Sequence, residues 1–282
     1  MLAIDHFRTT ALRAAGDLPL LSSALQRALA LLAQGDDVSV NELASAIEQD
    51  VVIASTTLSI ANSVMYIRTG QVSTVKRAIA RLGIVKTRNL LLGLSVTRAF
   101  RKLPIPSPWS SARFNSHSLA TAILADQLAR TVPTANAEWA FMAGLMHESG
   151  LLLIAAGLPQ QFKSILAASS SDVELVQQEK LQVGFSHFQL GAELIGRWNF
   201  PLCVQEAARF CESTGFPFVT PMPLGAIVKS ASLLADSHKI TIFDWNQENL
   251  ITGELLEALQ ITSPEAFLQE FESGFQELVR AA

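Results

Sequence analysis

Residues 141–154 read Phe-Met-Ala-Gly-Leu-Met-His-Glu-Ser-Gly-Leu-Leu-Leu-Ile, a run so apolar that it has to lie in a protein core. Only two ionisable groups interrupt it, and they are adjacent: His147 and Glu148. A carboxylate buried beside an imidazole is costly unless it is paired, protonated or bound to a metal. The fold must therefore supply partners, and the dipeptide marks either a metal-assisted hydrolytic centre or the remnant of one. The wider stretch over 140–159 is broken by this pair and by four glycines and prolines, so no run is read as a membrane span.

The rest of the chain reads as helix. Ala and Leu are abundant, β-branched clusters are few, and there is a single Tyr, a composition that favours helices. Apolar spacing predicts helices over 18–34, 84–101, 109–130, 137–156, 160–168 and 224–237. Capping boxes at Ser39–Glu42, Ser171–Glu174 and Ser186–Gln189 each open another. Asp50 caps residues 51–63, and Ser73 caps a helix stopped at Gly83. Pro201 reads as the first residue of a helix to about 212, and Ser263-Pro264 starts the last one. No sheet is expected.

Three prolines within residues 104–108 cannot continue a helix, so the main boundary falls there. The expected organisation is a tail or short helix over 1–16, an N-terminal helical lobe over 17–103, a second helical lobe over 109–240, and a C-terminal helical extension over 241–282. Cys203 and Cys211 sit two turns apart on one predicted helix and read as buried free thiols, which fits a reducing compartment. Residues 1–13 lack the apolar core of a signal peptide, so a soluble, cytoplasmic protein is expected.

Charge is unevenly spread. Residues 51–125 hold ten Lys and Arg and no acidic residue, whereas the other eleven basic residues face all 25 Asp and Glu, a net of −14. Lys76, Arg77 and Arg81 share one predicted helix and Arg88 follows on the next, an array that could bind an anionic partner, a nucleotide or a nucleic acid. The array equally fits a solvated helix face. The acidic overall balance and the scarcity of aromatics among these charges disfavour nucleic acid.

Several stretches, in order, resemble the HDOD domain family, a bacterial regulatory branch of the HD phosphohydrolase superfamily. They are Asp17-Leu-Pro-Leu-Leu, the run from Ile47 through Ala61-Asn-Ser63, the run from Val72 to Ala78-Ile-Ala-Arg-Leu-Gly83, Arg88-Asn-Leu90, His117-Ser-Leu-Ala120, Ala143-Gly-Leu-Met-His-Glu148 and Glu193 to Pro201. The resemblance spans about residues 17–237. It implies an all-α fold in which a helical N-terminal lobe packs on a degenerate HD-like helical domain.

Catalytic members of the superfamily hold a divalent metal with a His, a His-Asp pair and a distal Asp. Carried over by residue, the resemblance makes His117 the first ligand, His147 the second and Glu148 the pair's carboxylate, one methylene longer. Lys229-Ser-Ala-Ser232 stands where His-x-Ala-Asp is expected, which puts Ser232 in place of the distal carboxylate. Phe210 and Cys211 stand where adjacent histidines are expected, and His187 remains as an outer ligand. The resemblance thus implies a non-catalytic signalling module, acting in trans on receiver, cyclic-dinucleotide-turnover or kinase proteins, with no cofactor expected. The surviving histidines add the expectation of a small ligand in a vestigial pocket of His117, His147, Glu148, His187 and Ser232. The alternatives are a metal-dependent phosphohydrolase using His117, His147 and Glu148, and a nucleotide or nucleic-acid binder using the basic segment.

Overall fold

The structure, a computed structural model, describes residues 2–16, 38–63, 70–87, 107–213, 219–245 and 252–281, together with residues 27, 28, 31, 66, 90, 91, 105 and 215. It is all-α. The helices, numbered in chain order, are α1 Leu2–Gly16, α2 Val40–Glu48, α3 Val51–Ala61, α4 Val75–Leu82, α5 Ser111–Thr131, α6 Ala140–Met146, α7 Ser149–Gly157, α8 Pro159–Ala167, α9 Asp172–Gln182, α10 His187–Arg197, α11 Leu202–Phe210, α12 Leu224–Ser237, α13 Thr252–Ala258 and α14 Pro264–Ala281. Among the described residues the sole β-type pairing is an isolated bridge between Thr134 and Met222.

The chain forms two compact units. The smaller, residues 19–99 and 262–282, contains α2, α3, α4 and α14, and α14 packs on α3. Its core gathers Leu43, Ile47, Ile53, Val75, Ile79 and Leu91. Helix α4 shows why: Val75, Ala78, Ile79 and Leu82 fall on one face and are buried, while Lys76 and Arg77 point to solvent. Ser39 caps α2, and Asp50 caps α3 by accepting from the Val52 and Ile53 amides.

The larger unit, residues 1–18 and 100–261, carries α1 and α5 to α13. Helix α5 packs against α6 and α12, α7 packs against α10, and α11 lies between α10 and α12. Two glycines permit the closest approaches. A Cβ on Gly144 would lie 2.8 Å from Ala122 Cα, and one on Gly150 only 1.9 Å from the His187 carbonyl oxygen. Helix α1, from the chain's start, packs on α7, where Gly157 meets Ala11.

Several local readings change. The single helix predicted over 137–156 is a 3-10 turn at Ala137–Trp139 followed by α6 and α7, with His147 and Glu148 in the turn between them. Glu148 adopts φ −97°, ψ 8°, and its carbonyl accepts from the Leu151 amide three residues on rather than four. The stretch Ala137–Gly157 has the length and apolarity of a membrane span, yet 83% of its apolar window is buried inside the protein, as for a core helix. Thr74, not Ser73, caps α4, accepting from Arg77. Pro201 precedes α11 as its cap residue, and α13 has no counterpart among the predicted helices. Of the helices expected over 18–34 and 84–101, residues 27, 28, 31, 84–87, 90 and 91 are described and are helical. Arg88 and the Asp17-Leu-Pro-Leu-Leu opening lie outside the described residues.

Candidate ligand and metal pocket

Within the larger unit lies a cavity of about 600 Å³. Helix α5 contributes His117, the α6–α7 turn His147 and Glu148, the start of α10 His187, and α12 Lys229, Ser232 and Asp236. Helix α9 and the segment Thr241–Phe243 complete its wall. The five residues that the sequence assigns to a vestigial pocket are thus brought together from four separate parts of the chain.

The two inner histidines share one arrangement. The Nδ1–H of His147 donates to the Gly144 carbonyl at 2.7 Å, and that of His117 to the Ile240 carbonyl at 2.7 Å. Each ring therefore turns an unprotonated Nε2 away from its backbone tether. His147 Nε2 is buried and has no hydrogen-bond partner, while His117 Nε2 has Ser232 Oγ at 3.4 Å. Burial lowers the pKa of His117 and takes that of His147 down to about 4, the nearby Glu148 charge opposing it in both. Both rings are neutral near pH 7.

Glu148 and His187 are different. Glu148 Oε2 lies 3.1 Å from His187 Nε2, an ion-pair distance without an aligned hydrogen bond. On the ring's other side Glu179, fully buried, reaches His187 Nδ1 with both oxygens, at 2.8 and 2.9 Å. Burial opposes charge on His187, but Glu179 and Glu148 outweigh it and hold the ring's pKa well above the usual imidazole value. Burial likewise opposes ionisation of Glu148, and His187 overcomes it, taking the carboxyl down to about 2. A charged His187 bracketed by two carboxylates is the partner that the apolar run required.

One donor atom each from His117, His147 and Glu148 lies within 4.8 Å of the others. Two imidazole lone pairs and a carboxylate, with both Nδ1–H groups anchored on carbonyls, fit a divalent ion in an open three-ligand site. They do not fit a two-ion centre. Ser232 brings only a hydroxyl, Phe210 packs against Gly225 on α12, and burial raises the Cys211 thiol's pKa.

Two neighbours escaped the sequence reading. Asp236, one turn beyond Ser232, places Oδ1 3.4 Å from His117 Nδ1. The i+4 spacing from Ser232 was the available signal. Glu179 carried no signal, since its eight-residue separation from His187 closes only through the bend between α9 and α10. Lys229 donates to the Ser213 carbonyl at the cavity edge.

The basic array lies in the smaller unit. Lys76 and Arg77 are exposed. The Arg81 guanidinium instead donates to the carbonyls of Ala61 at 3.1 Å and Gly70 at 2.7 Å, and to Asn62 Oδ1 at 3.3 Å, tying down the loop after α3.

A Shewanella amazonensis protein provisionally assigned as a phosphohydrolase has a similar fold, with TM-score 0.72 and 23% identity over 97% of this chain and 98% of that one. A Marinobacter aquaeolei protein provisionally assigned to signal transduction follows at TM-score 0.65 and 21% identity, covering 99% of this chain and 65% of that one. A Treponema pallidum protein of uncharacterized function is 26% identical over 203 residues. That match takes in 69% of this chain and 37% of the relative, so the chain spans little more than a third of its relative's length. Residues 18–214 match the HDOD domain as a family, and with most of its length inside that match the chain belongs to the HDOD domain family.

Proposed function

We propose that this chain is a non-catalytic signalling module that works through protein contacts, its pocket retained as a structural and ligand-sensing element. The observation that carries this reading is the state of Glu148. Its carboxylate is engaged by a charged His187, and the distal position offers Ser232 instead of a second carboxylate. Hydrolysis of a phosphoester by a bound metal needs an ion held firmly enough to acidify water and polarise the ester. A site short of one anionic ligand, whose remaining carboxylate already has a cation beside it, is poorly suited to that. The signalling assignment of the Marinobacter neighbour accords with the reading.

The test is an assay of the purified chain with Mn²⁺ or Fe²⁺ against bis(p-nitrophenyl) phosphate and cyclic dinucleotides. No turnover above the His147→Ala background is expected. Turnover abolished by His147→Ala would overturn the proposal.

One observation supports a second reading, a cation-binding site at His117, His147 and Glu148. The His147 Nε2 lone pair is buried without a hydrogen-bond partner, with Glu148 Oε1 standing 3.5 Å away, and an unsatisfied buried acceptor costs roughly 1–3 kcal/mol unless something fills the place. A bound ion would there act as a Lewis acid. The chain's own part is to fix both tautomers through Gly144 and Ile240 and to close the base of the cavity.

A further inference from the structure

We propose that residues 240–244 form a strap over the cavity whose closure is set by a divalent cation bound at His117, with that imidazole as the mechanical link. The proposal rests on the cation-binding reading above.

The strap leaves α12 through Lys239, whose φ of 61° turns the chain back over the cavity. Thr241, Ile242 and Phe243 then form one wall. Its first residue is tied to α12 by the Ile240 N–H, which donates to the Ala235 carbonyl at 3.0 Å, and its other described tethers run to α5. His117 Nδ1–H holds the Ile240 carbonyl at 2.7 Å. One turn earlier, Arg113 donates from Nε to the Thr241 carbonyl at 3.1 Å and from Nη2 to Thr241 Oγ1 at 2.8 Å, and it pairs with the exposed Asp244. Asp236 also stands 3.4 Å from the His117 Nδ1.

His117 is thus a two-ended group, with Nε2 toward the cavity and Nδ1 on the strap. A cation on Nε2 draws electron density from the ring and makes Nδ1–H a stronger donor, which tightens the bond to Ile240. Linkage requires the converse: loosening the strap must weaken cation binding by the same factor. Arg113 is the useful lever, because it is absent from the residues lining the cavity. Its own charge repels a cation, so a loss of affinity when it is removed reports on the strap and not on direct electrostatics.

The experiment is hydrogen–deuterium exchange of peptides spanning 238–246 in the full chain, with and without Zn²⁺, beside calorimetric Zn²⁺ titrations. In the wild type, Zn²⁺ should slow exchange of the strap amides about fivefold, a modest coupling. Arg113→Ala should speed strap exchange and weaken Zn²⁺ binding by a matching factor, with exchange in α7 and α10 unchanged. Asp244→Asn, at an exposed position, should act in the same direction more weakly and serves if Arg113→Ala unfolds. Three outcomes would overturn the proposal: no Zn²⁺ bound, Zn²⁺ bound with strap exchange unmoved, or wild-type Zn²⁺ affinity in a variant whose strap is loosened. Phosphoesterase turnover in the same samples would overturn the signalling reading alone, leaving the strap to be judged by exchange.

Discussion

Glu179 holds His187 at two points, accepting from its backbone N–H at 2.8 Å and facing its ring Nδ1 with both carboxylate oxygens. It thereby fixes the first residue of α10, and the ring that neutralises Glu148, from the preceding helix. Removing one member of a buried ion pair costs about 3–5 kcal/mol, the lower end applying here because Glu148 stays 3.1 Å from the ring. Glu179→Ala should therefore lower unfolding free energy by that order, read from urea denaturation. A loss below about 1 kcal/mol, the size expected of a surface pair, would refute the assignment.

The pocket should give stability a maximum near neutral pH. Buried His147 has its pKa depressed to about 4, so between pH 6.5 and 4 the unfolded chain takes up a proton that the folded one refuses. Stability falls with pH in that window, by up to roughly 3 kcal/mol from this group. Glu148, depressed to about 2, contributes stability present above its ordinary value of 4.5 and lost as pH falls toward 2. His187 is raised, so its contribution is full below 6.5 and is lost as pH rises through its folded value. Denaturation at pH 4.5, 6.5 and 8.5 should show a maximum at the middle value. His147→Asn, whose amide can still donate to Gly144, should flatten the acid limb.

Gly150→Ala should be severely destabilising, because its Cβ would sit 1.9 Å from the His187 carbonyl oxygen and 2.5 Å from the Gly191 nitrogen. Both contacts are backbone, so α7 and α10 would have to separate. Gly274→Ala is the matched control within α14, where a Cβ meets nothing within 4 Å. It should raise stability by up to about 1 kcal/mol through helix propensity. Thermal unfolding of the two variants in opposite directions would establish that space, not glycine as such, decides.

Ser232→Asp should restore an anionic ligand near His117 Nε2, now 3.4 Å from the serine hydroxyl. Calorimetry with Zn²⁺ or Mn²⁺ should show at least about a tenfold gain in affinity, equivalent to 1.4 kcal/mol. The metal-free variant should be less stable than wild type, because the added charge lies near Glu148 and Asp236.

Arg81→Ala should destabilise the smaller unit by about 1–3 kcal/mol, since it leaves the Ala61 and Gly70 carbonyls without their guanidinium donor. If Arg81 served mainly to bind anions, the substitution would leave the unfolding curve unchanged.

The helical class and most helix starts were legible in the sequence because caps are local. Ser39, Asp50, Ser171 and Ser186 each accept from an amide two or three residues on, whatever the rest of the chain does. The residues that the family resemblance singled out, His117, His147, Glu148, His187 and Ser232, line one cavity. The break at His147–Glu148 was not legible. It lies between Gly144 and Gly150, which meet backbone on α5 and α10, helices distant in the chain.

Taken alone, the sequence determined that a carboxylate and an imidazole would be buried together in a helical core. Tertiary structure decided what that burial means chemically. A charged group in a core is tolerated only by partners placed within a few ångströms, and Glu179, Asp236 and Ile240 take their places near the histidines through helix packing and chain reversal, which no local pattern records. The same packing set opposite protonation states for neighbouring rings, with His147 neutral and His187 charged. That difference comes from Glu179 lying beside one ring and a carbonyl beside the other.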